Sequence, residues 1–242
     1  MSTDDLSVPA STTQRPEPWL RTRRLRLREF TVHDRLQLVQ MHADTRMRAL
    51  LIDDHPLHRH DVCDRFLRRL QALYRAHDGL GIWHAERSVR RFSDAELESP
   101  ALREALTPAA LAELARPVDE FIGWFNLMPM PGRDGEIELG ARLLPRAWGV
   151  GLADEGGEAL LRHAFETLGR ERVWAVFHVR HEAVRSCVLA LGFRDAGVLA
   201  YEGEPARHFL ITRDDWLASQ ALPRRARLRR AIADLRNLAA VA

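Results

Sequence analysis

The stretch EIELGARLLPRAWGVGLADEGGE, residues 136–158, joins a strand pattern to a helix pattern through a turn. Its first half alternates between apolar and polar residues, and successive strand residues point to opposite faces of a sheet. The apolar face holds Ile137, Leu139, Ala141 and Leu143, and the polar face holds Glu136, Glu138, Gly140 and Arg142. A face with two carboxylates and an arginine is either exposed to solvent or lines a site.

The turn after this strand, Arg146 to Gly151, has glycines at positions 149 and 151 and leads directly into a helix. Such glycines let the chain approach a ligand closely, and the first backbone N–H groups of a helix have no intrahelical partner. That combination binds phosphate or pyrophosphate. The turn is neither a P-loop, because it lacks Lys-Ser/Thr, nor a dinucleotide fingerprint, because it lacks a third glycine. A tight turn alone would also explain the two glycines.

Hydrophobic periodicity on both sides of this stretch predicts further strands and helices. The predicted strands cover residues 23–30, 79–87, 121–128, 136–144, 172–179, 193–201 and 207–212. The predicted helices cover residues 33–42, 61–76, 149–168 and 182–191. Strands mixed with helices in this order predict an α/β or α+β fold with a central sheet.

Two segments differ in composition from the predicted domain, which spans residues 20–216. Residues 1–19 are rich in Ser, Thr and Pro, which predicts a disordered tail. Residues 88–118 carry capping signals at Ser93 and Thr107, which predict an insertion of one or two short polar helices. This insertion is either a lid or selectivity element over a site, or an inert surface excursion.

The C-terminal residues 217–242 predict an arginine-rich amphipathic helix. Its apolar stripe holds Leu228, Ile232, Leu235 and Leu238. Such a helix can bind nucleic acid through its arginines, or it can dock its stripe on the domain and leave the arginines in water. The second interpretation is favoured, and nucleic acid is not an expected partner.

Composition excludes several classes of protein. The chain has 242 residues, 46% of them hydrophobic, and a formal net charge of +2, so it is not mainly disordered. All 36 basic residues are arginine, which leaves no lysine to form a Schiff base. Two cysteines, Cys63 and Cys187, are too few for a disulfide framework and lack zinc-ligand spacing. No apolar run approaches the roughly 20 residues that cross a bilayer. We therefore expect a cytoplasmic monomer or homodimer, with no metal and no membrane association.

The order strand, Arg-x-x-Gly-x-Gly turn, helix, strand, helix resembles the GNAT superfamily of acetyl-CoA-dependent N-acyltransferases. Within it, the sequence is similar to the RimJ/RimL-like branch of ribosomal-protein N-terminal acetyltransferases. The matching segments are Thr22–Arg28, Phe121–Gly123, Glu138–Gly140, Pro145–Gly151, Asp154–Glu155 and His181–Phe193. The resemblance covers residues 20–216, apart from the insertion.

The resemblance implies a mixed sheet, flanked by helices, that splays open between its fourth and fifth strands. Acetyl-CoA would lie in that cleft as co-substrate, with its pyrophosphate on the turn and its thioester carbonyl against backbone N–H groups. The residues expected to bind it are Leu143, Leu144, Arg146, Ala147, Trp148, Gly149, Val150, Gly151, His181 and Ser186.

The late helix departs from the family pattern, because Val184 and Val188 occupy the positions of the usual serine and tyrosine. Neither valine can donate a proton, so the sequence assigns no group to protonate the leaving thiolate. A thiolate is a tolerable leaving group near neutral pH, and a dedicated acid is not essential. The tryptophans Trp83, Trp124, Trp148 and Trp174 are expected in the core rather than against substrate.

A basic group must take a proton from the amine. Glu138 is the first candidate, acting directly or through water, with Glu136 behind it. The alternative for Glu138 is a surface ion pair with Arg142. His178 ends the following strand and is either a second candidate base or a packed, hydrogen-bonded residue.

Together these features predict an N-acetyltransferase that moves an acetyl group from acetyl-CoA to a primary amine by direct attack. The acceptor is a protein N-terminus or a small molecule. The alternative is a catalytically weak, acyl-CoA-binding module with a regulatory or RNA-associated role, which the two valines of the late helix favour.

Overall fold

The computed structural model describes residues 17–52, 55–130, 132–201 and 203–241, with the backbone alone for residues 234–241. Within these ranges, eight strands form one mixed sheet in the order β1-β2-β3-β4-β5-β6-β8-β7. The strands are β1 (Leu20–Arg21), β2 (Leu25–Glu29), β3 (Gly81–Val89), β4 (Val118–Pro129), β5 (Ile137–Leu143), β6 (Arg172–His178), β7 (Arg194–Tyr201) and β8 (Glu204–Thr212). The predicted mixed sheet is confirmed.

Ten α-helices connect and cover these strands in the described residues. They are α1 (Arg35–Ala43), α2 (Thr45–Arg48), α3 (His60–Ala76), α4 (Asp94–Leu97), α5 (Pro100–Ala105), α6 (Pro108–Ala115), α7 (Leu152–Arg162), α8 (Glu182–Leu191), α9 (Arg213–Gln220) and α10 (Arg224–Val241). The helix predicted over residues 149–168 starts later, because Gly149 and Gly151 both adopt positive φ. It continues after Arg162 as a π-helical turn over His163–Thr167.

The sheet splays open between β5 and β6. These two strands run parallel and are paired at one position, Glu138 opposite Trp174. By contrast, β5 pairs with β4 over seven positions and β6 with β8 over another seven. The splay therefore lies where the sequence resemblance placed it, since β5 and β6 are the fourth and fifth strands once the two-residue β1 is set aside.

Two hydrophobic cores lie on opposite faces of the sheet. The larger core joins the sheet to α7 and α8, and it includes Leu139, Leu143, Leu160 and Val188. The smaller core, around Phe30 and the helices α1 and α3, lies on the other face. Three of the four tryptophans expected in the core are buried, namely Trp83, Trp124 and Trp174.

Gly123 in β4 is required by the close approach of β4 to β5. Its φ is +128°, and a Cβ atom at this position would lie 2.1 Å from the carbonyl oxygen of Arg142. Register between β3 and β4 also shifts here, so the strand carries a bulge next to the cleft. Only glycine satisfies both conditions.

The insertion and the predicted tail differ from expectation in detail. The insertion has three short helices, α4 to α6, rather than one or two, and the predicted caps Ser93 and Thr107 both accept a backbone hydrogen bond. Residues 94–115, all of them described, belong to neither core. Residues 1–16 of the predicted tail lie outside the described residues. Trp19 is part of the fold, because its ring stacks on Trp83 at 4.1 Å.

The C-terminal helix α10 docks on the domain. Leu228 and Ala231 pack against the larger core, and Arg227 is buried beside Glu158. Ile232 of the predicted stripe is exposed, whereas the side chains of Leu235 and Leu238 lie outside the described residues. The predicted boundary at residue 216 falls inside α9, so the extension begins after that helix.

Candidate active site

The turn before α7 presents backbone N–H groups at one edge of the sheet. Gly151 is the N-cap of α7 with φ of +76° and has no side chain to cap the helix. The Glu155 N–H donates to the Gly151 carbonyl, so intrahelical bonding starts there. Helix geometry leaves the N–H groups of residues 152–154 without intrahelical partners, which makes this edge a site for an anion.

An arginine from the start of the sheet holds this turn in place. Arg24 donates to the carbonyls of Val150 and Gly151 and forms an ion pair with Glu155 at 2.6 Å. Thr22 also donates to Glu155. Burial alone would raise the pKa of Glu155, but the hydrogen bonds from Thr22 and Arg24 outweigh burial and lower this pKa. The conformation of the turn is thus stabilised by side chains from a distant segment of the chain, Thr22 and Arg24.

Two turn residues that the sequence predicts to bind the coenzyme, Arg146 and Ala147, make contacts within the protein. The guanidinium of Arg146 pairs with Glu120 at 2.6 Å and donates to the Phe121 carbonyl. Ala147 is buried, and its N–H donates to the Leu144 carbonyl. The guanidinium of Arg146 and the N–H of Ala147 therefore already have partners within the protein, and their contact with the coenzyme stays a prediction.

Trp148 corrects the prediction that all four tryptophans are buried. It is 48% exposed, because it lies in the turn rather than in a strand, and its indole N–H donates to the Leu143 carbonyl at 2.7 Å. Its ring therefore lies at the rim of the cleft and not in the core.

The predicted oxyanion donors, Leu143 and Leu144, are not equivalent. The Leu144 N–H donates to the Ile122 carbonyl at 2.8 Å, so this donor is used within the sheet. Hydrogen-bonded pairs alternate along an antiparallel ladder, which makes the next pair, Leu143 with Gly123, a non-hydrogen-bonded one. The Leu143 N–H therefore points away from β4, toward the gap before β6.

The two predicted carboxylates have different surroundings. Glu136 accepts from Arg172 and, at 2.8 Å, from the indole N–H of Trp174, so it fastens β5 to β6. Glu138 lies opposite Trp174 at the vertex of the splay, and its side chain is half-buried. It lies on the face opposite α7, because its neighbours Ile137 and Leu139 belong to the core with that helix.

His178 lies at the open end of β6, on the wall of the cleft that faces β5. Its Nδ1 accepts a hydrogen bond from the Arg180 N–H at 3.1 Å. In the neutral ring the proton is then assigned to Nε2, so neither nitrogen is available to accept another proton. This hydrogen bond competes with a role of His178 as a base, which stays a prediction.

A family model described as an acetyltransferase (GNAT) domain matches residues 24–194. The chain belongs to the GNAT acetyltransferase family. The family uses acetyl-CoA, and the match includes the splayed strands, the turn and α7. The predicted superfamily is confirmed, whereas its RimJ/RimL-like branch stays a prediction.

This chain matches two curated GNAT relatives over about half of each relative's length. The FsC-acetyl coenzyme A-N(2)-transacetylase of Aspergillus fumigatus is 31% identical over 116 residues, which cover 42% of this chain and 49% of that protein. The uncharacterized N-acetyltransferase YoaA of Bacillus subtilis is 30% identical over 84 residues, which cover 35% of this chain and 48% of that protein.

Solved structures agree on the fold. A spermidine N-acetyltransferase from Vibrio cholerae, in complex with CoA and spermine, superimposes with a TM-score of 0.57 at 13% identity over 81% of this chain and 99% of its own. The ribosomal L7/L12 alpha-N-protein acetyltransferase RimL, in complex with coenzyme A, gives a TM-score of 0.57 at 12% identity over 79% of this chain and 95% of its own. At these identities the likeness shows the GNAT fold alone.

The late GNAT helix, α8, supplies fewer contacts than the sequence predicts. Ser186 is exposed, and its assignment to the coenzyme site stays a prediction. Val184 packs against the larger core and Val188 is buried in it, so neither position supplies a proton. His181 precedes the helix, and its Nδ1 is buried without a hydrogen-bond partner in the described chain. Burial, and then His178, lower the pKa of His181, so this ring is neutral near pH 7.

Sequence reasoning missed the side chains that support this GNAT site from elsewhere in the chain. Arg24 precedes β2, and Arg224 of α10 pairs with Asp154 in the first turn of α7 at 2.8 Å. Near the junction of β5 and β6, the Arg133 guanidinium lies 4.4 Å above the Trp174 ring. No local pattern marks these residues, because their roles depend on contacts between distant segments.

Two features are absent from the described residues. No group of three His, Cys, Asp or Glu side chains there is placed to hold a metal ion. None of the helices described is both long enough and apolar enough to cross a membrane.

Proposed function

We propose that this chain is an acetyl-CoA-dependent N-acetyltransferase that acetylates a primary amine by direct attack on the thioester. The observation that carries the proposal is the single-pair junction of β5 and β6, with the start of α7 at the same edge. The pantetheine arm would lie in the gap that opens from this single pair, and the anion site at the mouth of the gap suits a diphosphate.

The turn and α7 would bind the diphosphate through backbone N–H groups, with Gly149, Val150 and Gly151 as the exposed backbone of the turn. His181 faces them from the start of α8, where its unpartnered Nδ1 suits a pantetheine amide. The Leu143 N–H, which points into the gap, would donate to the thioester oxygen and stabilise negative charge as it develops there.

Glu138 would take the proton from the attacking ammonium, directly or through one water. The neutral amine nitrogen then forms the new C–N bond, the C–S bond breaks, and the nitrogen loses its second proton to water, so that the product is a neutral amide. The sulfur leaves with its electron pair as a thiolate, which needs no side-chain acid at neutral pH. Glu138 is well placed for this step because it lies at the vertex of the splay, on the face opposite the coenzyme-binding helix.

A primary amine is the acceptor class that the relatives support. The relatives are named for transfer to N(2) of FsC, to spermidine and to a protein α-amine. These names describe those proteins. They do not decide between the two predicted acceptors of this chain, a small molecule and a protein N-terminus, which the following experiment compares.

Thiol release from acetyl-CoA across an amine panel tests the proposal. The panel contains polyamines, amino-acid amides and peptides with free N-termini, and each reaction is compared with a matched N-acetylated compound. We expect thiol release with at least one free amine and none with its acetylated counterpart. Binding of acetyl-CoA without release across the panel would instead favour the acyl-CoA-binding module.

A further inference from the structure

The C-terminal helix α10 begins beside the predicted diphosphate turn. Its first residue, Arg224, contacts the carboxylate of Asp154, with 2.8 Å between Nε and Oδ2. Asp154 belongs to the first turn of α7, and its Oδ2 lies 3.9 Å from the position that a Cβ on Gly151 would occupy. The family match ends at residue 194, so Arg224 comes from outside the matched domain.

A second ion pair, one helical turn further along, fixes α10 in register with α7. Arg227 has only 8% of its surface exposed, and its guanidinium lies 3.4 Å from the carboxylate oxygens of Glu158. Residues three or four apart share a helix face, so these two arginines match the two carboxylates of α7. Leu228 packs below them against the larger core. The position of Arg224 is thus imposed by a docked helix.

Asp154 presents an electrostatic conflict. A carboxylate in the first turn stabilises a helix, but the same charge repels an anion that approaches the helix start. The side chain of Asp154 is only 16% exposed, and Cys187 of α8 lies beside its carboxylate. Burial, and then the charge of Asp154, raise the pKa of the Cys187 thiol, which keeps that neighbour neutral. Arg224 is therefore the group that neutralises Asp154.

We propose that Arg224 is a coenzyme-positioning residue, which neutralises Asp154 so that the diphosphate of acetyl-CoA can occupy the turn. Docking of α10 and binding of the coenzyme then stabilise each other, because linkage between two binding events is reciprocal. The inference rests on the proposed function, since it requires a CoA diphosphate at the turn.

The next residue of the same helix offers a matched control. Arg225 is exposed, and its guanidinium has no partner among the described residues. Arg224→Gln and Arg225→Gln remove the same charge from adjacent positions, and only the first uncovers the carboxylate of Asp154. Any general effect of net charge on an anionic ligand appears equally in both variants.

Isothermal titration of the full chain with acetyl-CoA measures the effect. We expect Arg224→Gln to weaken binding about tenfold and Arg225→Gln by less than about twofold, with the difference shrinking as salt screens the charges. The double variant Asp154→Asn/Arg224→Gln is expected to bind within about threefold of wild type, because it removes both charges. Arg224→Lys retains the charge and should keep most of the affinity.

A steady-state assay separates positioning from damage to the fold. We expect the KM for acetyl-CoA to rise in Arg224→Gln while kcat at saturating acetyl-CoA stays within about twofold. Equal affinities for Arg224→Gln and Arg225→Gln would overturn the inference, as would a double variant as weak as Arg224→Gln. A wild-type chain that binds no acetyl-CoA would overturn the proposed function itself.

Discussion

The two walls of the cleft are held in different ways. The β5 wall, formed by β5, the turn and the start of α7, is fixed by ion pairs from distant segments, including Arg24 with Glu155 and Arg146 with Glu120. The β6 wall, formed by β6 and α8, presents histidines instead, and the Nδ1 of His181 is buried without a partner. The β5 wall would therefore bind the coenzyme through backbone N–H groups. The β6 wall would contribute a side chain, His181, whose Nδ1 can still form a hydrogen bond.

The largest expected effect comes from placing a charge on the β5 wall at Gly151. Gly151→Glu adds negative charge and bulk at a residue with φ of +76°, where the diphosphate would lie. We expect it to abolish the rise in melting temperature that saturating acetyl-CoA gives the wild type through mass action on the folded state. Differential scanning fluorimetry with and without acetyl-CoA measures both proteins.

Two controls separate charge from backbone strain in that experiment. Gly151→Gln has the same strain without the charge, and we expect it to retain part of the shift. Gly169→Glu places the same residue at an exposed glycine with φ of +62° and should retain all of it. Loss of the shift in Gly169→Glu would mean that strain anywhere produces this result.

The second prediction compares the walls directly through their two candidate bases. Glu138→Gln on the β5 wall keeps the shape and removes the proton acceptor, so kcat should fall about 10²–10⁴-fold. His178→Gln on the β6 wall should change kcat by less than about threefold, because its Nδ1 already accepts from Arg180. Initial rates at saturating acetyl-CoA and amine give both values.

The pH profile of the residual rate sharpens this comparison. In Glu138→Gln the amine must lose its proton unaided, so the rate should rise with pH toward the pKa of the amine. A reversed outcome, with a large loss in His178→Gln alone, would assign the base to the β6 wall. If both variants stay close to wild type, the amine binds already neutral.

A third, smaller effect should follow from loosening the β5 wall at Arg24. Arg24→Gln removes the ion pair with Glu155 and bonds to two carbonyls of the turn, which should cost about 1–2 kcal/mol of unfolding free energy. Urea unfolding at pH 7 measures this, and Arg21→Gln, an exposed neighbour, is the control. A loss equal to that of Arg21→Gln would mean that the pair contributes nothing specific.

The same variant has a defined pH dependence. The pKa of Glu155 is lowered in the folded state, so its contribution is complete above its unfolded value of 4.5 and is lost as pH falls through the lower folded value. Wild type and Arg24→Gln should therefore differ most above pH 5, and their difference should shrink in acid. A constant difference from pH 7 to pH 3 would contradict this assignment.

The contrast between the walls also explains how far the sequence alone could predict the site. Periodicity located most strands and helices, and α8 matches its predicted range of residues 182–191. The glycines of the turn predicted the anion site, because backbone recognition leaves a local signature. Arg24 and Arg224, which tether that site, left no such signature, because they lie at least 70 residues from their partners in the chain.

Individual side-chain directions were the least predictable feature. Alternation placed Glu138 and Leu139 on opposite faces correctly, yet it could not show that Leu144 donates within the sheet while Leu143 points into the gap. That distinction depends on the register with β4 and on the bulge at Gly123. The exposure of Ser186 was unpredictable for a similar reason, since it depends on how α8 is rotated against the core.

The smallest expected effect lies on the β6 wall, at His181. His181 is neutral near pH 7, because burial, and then His178, lower its pKa, and a neutral ring can donate and accept as an amide does. His181→Asn should therefore leave the KM for acetyl-CoA within about threefold of wild type, whereas His181→Ala should raise it about fivefold to tenfold. Steady-state titration of acetyl-CoA at pH 7.5 distinguishes the two.

The pH dependence of these variants decides whether the imidazole itself matters. Because the lowered pKa keeps His181 neutral, the KM for acetyl-CoA in wild type should stay flat from pH 8 down to about pH 6.5, as it should in His181→Asn. A KM that changes between pH 8 and 6.5 in wild type but not in His181→Asn would show a charged ring at the coenzyme. Equal KM values for His181→Ala and wild type would mean that the unpartnered Nδ1 binds nothing, and the coenzyme would then depend on the β5 wall alone.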